Sequence, residues 1–325
     1  MHAWQFDRYG HYSEVLHWVE RATPEPGPNQ ALVRTVAMSL NFPDLLIIQG
    51  LYQHKAPLPA VPGVEGVGSV EAVGPGCKFE PGDRVVGFSH SGGTLADYFL
   101  VDNHNAWPVP DHVSDADAAA LSVTYGTSYF ALEHRAHLQP GETLLVLGGA
   151  GGVGTAAIQL GRAMGARVIG CASDATKLGI CRKAGAQEVI NYRSEDLVER
   201  VKELTGGRGA DVVYDPVGGD AFDLVKRCTA WEGRIVIIGF ASGRIPSIEC
   251  NRLLLKNMAV MGLAWGQYVD RGSPLVGAAQ EKLYGMLKDG QISPILYRTL
   301  AFADVKQGLA MLEAREVYGK IVVMR

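Results

Sequence analysis

The chain has 325 residues, enough for two domains of ordinary size with a core in each. Its 47% apolar and 20% charged content marks a globular chain and excludes a disordered one. Lys plus Arg number 30 against 34 Asp plus Glu, giving −4, so no basic surplus exists to neutralise a nucleic-acid backbone or an anionic membrane. Glycine is abundant, 40 of 325 residues, and points to backbone positions that need positive φ or close approach of another group. The five cysteines (Cys77, Cys171, Cys181, Cys228, Cys250) are odd in number and include no CxxC pair, which argues against a disulfide framework and for a reducing compartment. The N-terminal residues have no basic patch followed by a long apolar core, so no signal peptide is expected. No run of about 18 apolar residues suggests a membrane span, and the expected location is the cytoplasm.

In chain order, residues 1–121 read as short strands cut by Gly and Pro clusters at 24–28, 57–63, 74–76 and 81–83, the pattern of a small β-rich barrel. After Gly126 the rhythm changes. Apolar runs of strand length at 143–147, 167–172, 188–191, 211–215, 234–239 and 258–264 are mostly separated by helical stretches, the last two being joined by a loop and short turn. Six strands alternating with helices predict an α/β, doubly wound parallel sheet over 122–261. Residues 262–325 are expected to rejoin 1–121 as the other domain, with a cleft between the two.

The sharpest motif is Leu144-Leu145-Val146-Leu147-Gly148-Gly149-Ala150-Gly151-Gly152-Val153-Gly154, a strand entering a glycine loop and then a helix. Val153, Ala156 or Ala157, Leu160 and Ala163 or Met164 give that helix one apolar face. Gly151 and Gly152 let backbone approach a pyrophosphate, Gly154 lets helix and strand pack closely, and the helix start from Val153 offers N–H groups to phosphates. The strand, helix and following strand supply the context that a lone glycine pattern lacks.

The end of the next strand decides the cofactor, because an acid there holds the ribose 2′-hydroxyl of NAD. Here it reads Ala172-Ser173-Asp174, with Lys177 one helical turn on and Tyr192 after the third strand. A small polar residue, a cation and a phenol suit the 2′-phosphate of NADPH. Asp174 leaves the alternative of an NAD ribose open, and a third reading makes Ser173 or Asp174 a helix cap with Lys177 solvated.

Taken together, Pro62-Gly63-Val64-Glu65-Gly66-Val67-Gly68-Ser69-Val70, Pro81-Gly82-Asp83-Arg84-Val85, the glycine loop and Ala210-Asp211-Val212-Val213-Tyr214-Asp215-Pro216-Val217-Gly218 make the chain resemble the medium-chain dehydrogenase/reductase superfamily over nearly its full length. The resemblance implies a GroES-like β-barrel domain plus a Rossmann domain. Zinc-dependent members need Cys and His ligands. Here Asn41 stands at the position resembling the first Cys, Gly63-Val64-Glu65 replaces Gly-His-Glu, and no Cys lies between Cys77 and Cys171. His134 and His137, three apart on an expected helix, read as a solvated face. No metal is expected.

Leu40-Asn41-Phe42-Pro43-Asp44 with Gln49-Gly50-Leu51-Tyr52 resembles the zinc-independent quinone oxidoreductase branch that includes zeta-crystallin, although Leu46 stands where that branch usually has an aromatic. This implies NADPH-dependent reduction of quinones or α,β-unsaturated carbonyls, with Asn41 and Tyr52 near the nicotinamide as candidate catalytic donors to the developing oxyanion. It also implies Thr127 near the phosphates or nicotinamide, and Gly239, Phe240, Ala241, Leu263, Ala264 and Trp265 along the nicotinamide half. The competing readings are an Asx turn for Asn41, ring packing for Tyr52 and core for Phe240 and Trp265. Asp44 reads as a structural hydrogen-bonding residue. An enoyl-thioester reductase and a non-catalytic NADPH-binding or RNA-binding protein are the rival functions. A homodimer through the last strand of the parallel sheet is expected, with a small-molecule substrate and no nucleic-acid partner.

Overall fold

Short strands separated by turns fill the first third of the computed structural model, which describes residues 1–325. β1 (His2–Gln5) and β2 (His17–Glu20) pair antiparallel around the short helix α1 (Tyr12–Val15). β3 (Gln30–Leu40) is long and largely buried, with Val33, Ala37, Met38 and Leu40 in the core. α2 (Phe42–Gln49) follows at once, because Asn41 is an extended N-cap and Pro43 sits in the first turn, where a missing N–H loses nothing. Gly50 stops the helix at φ 70°, the left-handed conformation that glycine adopts without strain. β4 (Glu65–Val73), β5 (Arg84–Phe88), β6 (Tyr98–Asp102) and β7 (Ala106–Pro108) complete the N-terminal part of an antiparallel sheet. Val33, Val70, Val85 and Phe99 pack at its centre.

α3 (Asp115–Tyr129) runs into a π-helical turn that ends at Arg135. His137, at φ 49°, lies beyond it, so His134 and His137 share no helical face. The second unit then alternates strand and helix: β8 (Thr143–Val146), α4 (Gly152–Ala163), β9 (Arg167–Ala172), α5 (Ala175–Ala184), β10 (Glu188–Asn191), α6 (Leu197–Leu204), β11 (Ala210–Asp215), α7 (Gly219–Cys228), β12 (Thr229–Ile237), α8 (Cys250–Lys256) and β13 (Ala259–Gly262). Its six strands are all parallel, in the order β10-β9-β8-β11-β12-β13. The chain therefore starts in the middle and winds outward both ways, leaving a switch point between β8 and β11 where such sheets bind ligands. All four residues of β8 are buried, as a central strand covered on both faces requires. One link differs from expectation. Between β12 and β13 the chain forms α8 where a loop and short turn were expected; none of its residues is buried, so no apolar stripe announces it.

The C-terminal part adds α9 (Trp265–Asp270), α10 (Pro274–Lys288), β14 (Leu296–Ala301), α11 (Val305–Glu313) and β15 (Lys320–Met324). β15 pairs antiparallel with β3, Ile321 opposite Leu40, and this register delivers Lys320 beside Asn41. The compact units are Met1–Val123 with Gly266–Lys288 and Leu296–Arg325, and Thr124–Trp265 with Asp289–Ile295. No helix is long and apolar enough to cross a membrane.

Candidate active site

In the second unit, Gly151 is the extended N-cap of α4, and the first bond of the helical ladder is Thr155 N–H to Gly151 O at 2.8 Å. The amides of Gly152, Val153 and Gly154 thus precede the ladder and have no acceptor one turn back. A Cβ at Gly154 would sit 2.2 Å from Gly148 O, so only glycine lets the loop fold onto the helix. A Cβ at Gly151 would meet only Gly148 O, at 3.4 Å, so that side of the loop is open to an approaching group. Free amides, an open glycine face and the positive end of a helix dipole fit a dinucleotide pyrophosphate. Ser128 Oγ anchors the junction through Val153 O at 3.0 Å and Tyr214 Oη at 2.8 Å, while its neighbour Thr127 is half-buried.

At the end of β9, Asp174 is the N-cap of α5. Its Oδ1 accepts Lys177 N–H at 2.9 Å and its Oδ2 accepts the Ser173 hydroxyl at 2.8 Å. These bonds, the Lys177 amide first, hold the carboxyl below the usual carboxylate range. The cap reading of Asp174 therefore describes what this side chain does. Lys177 Nζ lies 4.0 Å from Asp174 Oδ2. β10 pairs Asn191 with Ala172, and Tyr192 N–H reaches Ala172 O at 3.3 Å, which brings the half-exposed Tyr192 alongside Ser173. Arg193 adds a cation whose charge bears on Asp174. Arg193 is not singled out by the sequence pattern, although its place next to Tyr192 is a usable signal.

The other expected cofactor contacts lie along the carboxyl ends of β11, β12 and β13. Ile238 N–H reaches Asp215 O at 2.8 Å, Ala241 N–H reaches Pro216 O at 3.1 Å, and Leu263 N–H reaches Ile237 O at 3.0 Å. Gly239, Phe240 and Ala241 are half-buried, Leu263 is buried and Ala264 exposed. Trp265 is 4% exposed and packs on α3, where a Cβ at Gly126 would meet its ring at 2.9 Å. Its ring is core.

In the first unit, a buried polar network surrounds Asn41. Asn41 Nδ2 donates to Glu65 Oε1 at 2.9 Å and to Ser39 O at 3.2 Å, and Asn41 Oδ1 accepts from Lys320 Nζ at 2.5 Å. Lys320 Nζ also lies 3.0 Å from Glu65 Oε1, the Ser39 hydroxyl donates to the same oxygen, and Glu65 Oε2 accepts Val123 N–H at 2.8 Å. Asn41 N–H donates to Asp44 Oδ2 at 2.7 Å. Burial pushes the Asp44 carboxyl up to about 7, against the opposing pull of Asn41 N–H and the Lys320 charge. Both amide hydrogens of Asn41 are thus taken within the protein. The substrate-donor role expected of Asn41 does not match this geometry, which makes it a residue that fixes the end of β3 and the start of α2.

Tyr52 follows the Gly50 cap and is half-buried. Burial, then the charges of Asp44 and Asp270, raise its phenol above the ordinary value, so it remains a donor at neutral pH. Its ring lies 6.5 Å from that of His54 and 6.4 Å from that of His90. His90 Nδ1 is 2.7 Å from Asp270 Oδ2. This grouping was not legible in the sequence, since His90 and Asp270 stand 180 positions apart.

Residues 27–111 match the alcohol dehydrogenase GroES-like domain and residues 152–279 the zinc-binding dehydrogenase family. A quinone oxidoreductase-like protein 2 homolog of Nematostella vectensis is 39% identical over 305 residues, 93% of this chain and 83% of that protein. Among solved structures, a quinone oxidoreductase of Pseudomonas syringae is similar with TM-score 0.93 at 33% identity, covering 100% of this chain and 99% of the other. The Escherichia coli quinone oxidoreductase complexed with NADPH is similar with TM-score 0.92 at 32% identity, each chain covered in full at 100%.

Proposed function

The chain belongs to the quinone oxidoreductase branch of the medium-chain dehydrogenase/reductase superfamily, and on that premise we propose that it binds NADPH and reduces small quinones or α,β-unsaturated carbonyl compounds by direct hydride transfer without zinc. The observation that carries the reading is the corner at the end of β9, where Asp174 is engaged as a cap and Ser173, Lys177 and Tyr192 stand together. When bound, NADPH supplies a hydride from its nicotinamide ring. The amides of Gly152, Val153 and Gly154 with the Gly151 face hold the pyrophosphate, and Ser173, Lys177 and Tyr192, with Arg193, hold the 2′-phosphate. Thr127, Gly239, Phe240, Ala241, Leu263 and Ala264 are assigned to the remainder of the cofactor. Tyr52 keeps its proton at neutral pH and donates it toward the oxygen on which charge develops. Asn41 acts by position.

A zinc ion does not suit the donors at the family's ligand positions: Asn41 Oδ1 faces the Lys320 ammonium, and Val64 offers no lone pair. A homodimer across β13 belongs to the same reading. That strand is the sheet edge, with unpaired N–H and C=O groups, and Ile245, Leu254 and Leu255 are 73%, 75% and 71% exposed. A monomeric mass by light scattering at micromolar concentration contradicts the dimer. Five free thiols suit the cytoplasm.

The functional test is NADPH consumption by the purified chain against a panel of quinones, enals and enoyl thioesters. The proposal expects turnover with quinones or enals. Turnover confined to enoyl thioesters replaces the substrate class, and NADPH binding without turnover on any of the three replaces enzyme with binding protein.

A further inference from the structure

Three Lewis bases converge beside Tyr52 that the reductase chemistry does not use. His54 lies in the loop after α2, His90 just past β5, and Asp270 at the end of α9. One donor atom from each falls within 4.8 Å of the other two. The two imidazoles are stacked, centroids 4.6 Å apart at 24°, and Phe88 meets His90 edge-on at 4.9 Å. A Cβ at Gly266 would lie 1.9 Å from His90 Nε2, so the glycine at this turn of α9 allows the ring its seat.

What sits among the three bases is itself informative. Gln267 Nε2 is 3.0 Å from His54 Nε2 and 3.4 Å from Asp270 Oδ2, and Asp270 Oδ2 also holds His90 Nδ1 at 2.7 Å. The Asp270 carboxylate is thus matched by an imidazole and an amide, with no lysine or arginine paired to it. The Gln267 amide places a weak positive dipole where the lone pairs of His54 and Asp270 meet.

We propose that His54, His90 and Asp270 form a binding site for a divalent transition-metal cation, zinc by preference, separate from the residues assigned to hydride transfer. Two imidazole nitrogens and one carboxylate are the donor set that zinc accepts, with a fourth, open position for water. Ligands ~2.0–2.2 Å from a tetrahedral ion stand roughly 3.4 Å apart, so small side-chain rotations close the present spacing. On binding, the ion displaces the Gln267 amide, and the His90–Asp270 hydrogen bond is exchanged for two metal bonds. Magnesium and calcium, which prefer oxygen ligands, are not expected to be held. The inference rests on this cluster alone and does not depend on the reductase reading.

The test is equilibrium dialysis of the full chain against micromolar zinc chloride, with elemental analysis of the retained metal. About one zinc per chain is expected for the wild type, with affinity at least tenfold weaker in His54→Gln and in Asp270→Asn, two changes at side chains outside the core. Gln267→Ala removes the competing amide and should bind at least as tightly as wild type. No retained zinc in the wild type overturns the site, and so does retention unchanged in both ligand variants. Magnesium retained to the same extent as zinc overturns the donor assignment.

Discussion

The network around Asn41 and the corner around Ser173 both gather polar groups at a strand end, and they do opposite things with them. Around Asn41 a carboxylate, an ammonium, an amide and a hydroxyl satisfy one another with 5% or less of the Lys320 and Glu65 side chains exposed. At Ser173 the acid is satisfied locally, as a cap; Lys177 is half-buried beside it, and the neighbouring Arg193 and Tyr192 are exposed. Paired groups sealed from water hold the fold. Groups left facing water with a surplus of donors are suited to recognise an anion. The two regions should therefore fail differently when altered.

The largest difference is expected from Lys320→Met. Removing one member of a buried pair leaves Glu65 charged and unmatched, which typically costs about 3–5 kcal/mol, whereas removing both charges is far milder. Denaturant unfolding should show the single variant strongly destabilised and Lys320→Met/Glu65→Gln partly recovered. A single variant as stable as the wild type would make the network ornamental.

A second effect belongs to pH. The Asp44 carboxyl is raised from 3.8 to about 7, so between those values the folded chain keeps a proton that the unfolded chain releases. Stability from this group is present below pH about 4 and is lost as pH rises toward about 7. Asp44→Asn should flatten that decline in unfolding curves recorded across the window; a parallel slope in wild type and variant would show that Asp44 is not its source.

Smaller again is Tyr52→Phe, which removes a donor but not packing. We expect kcat to fall roughly tenfold to a hundredfold with NADPH affinity unchanged. Equal losses in kcat and in cofactor affinity would instead mean that the Tyr52 loop shapes the site as a whole. Asn41→Ala should act on unfolding first, in keeping with its full set of internal bonds.

At the solvent-facing corner, Lys177→Ala should weaken NADPH about tenfold, ~1.4 kcal/mol, and leave NADH and the folding free energy nearly unchanged. Ser173→Asp should move preference toward NADH. Titrations that show both cofactors weakened alike by Lys177→Ala would return Asp174 to a ribose-binding role.

The same contrast explains what could be read before the fold was known. The parallel sheet was legible because its strands are continuous apolar runs and its first turn is a glycine loop, both local signals. The Asp174 cap and the Tyr192 approach follow from short-range spacing and were among the readings left open. Lys320 and Glu65, 255 positions apart, meet only because β15 and β4 both pair with β3, a register that no local pattern encodes. His54, His90 and Asp270 were invisible for the same reason, and α8 because only Leu253 turns inward while Leu254 and Leu255 are exposed, too little for an apolar stripe.

Metal independence and NADPH selectivity, both part of the proposed function, are read together in a single experiment. Chelator-treated protein is given a quinone with NADPH or NADH, and kcat/KM is compared for the two cofactors. Full activity after chelation and at least a tenfold preference for NADPH are expected; activity lost with the metal and restored by zinc, or equal use of NADH, overturns the proposed function.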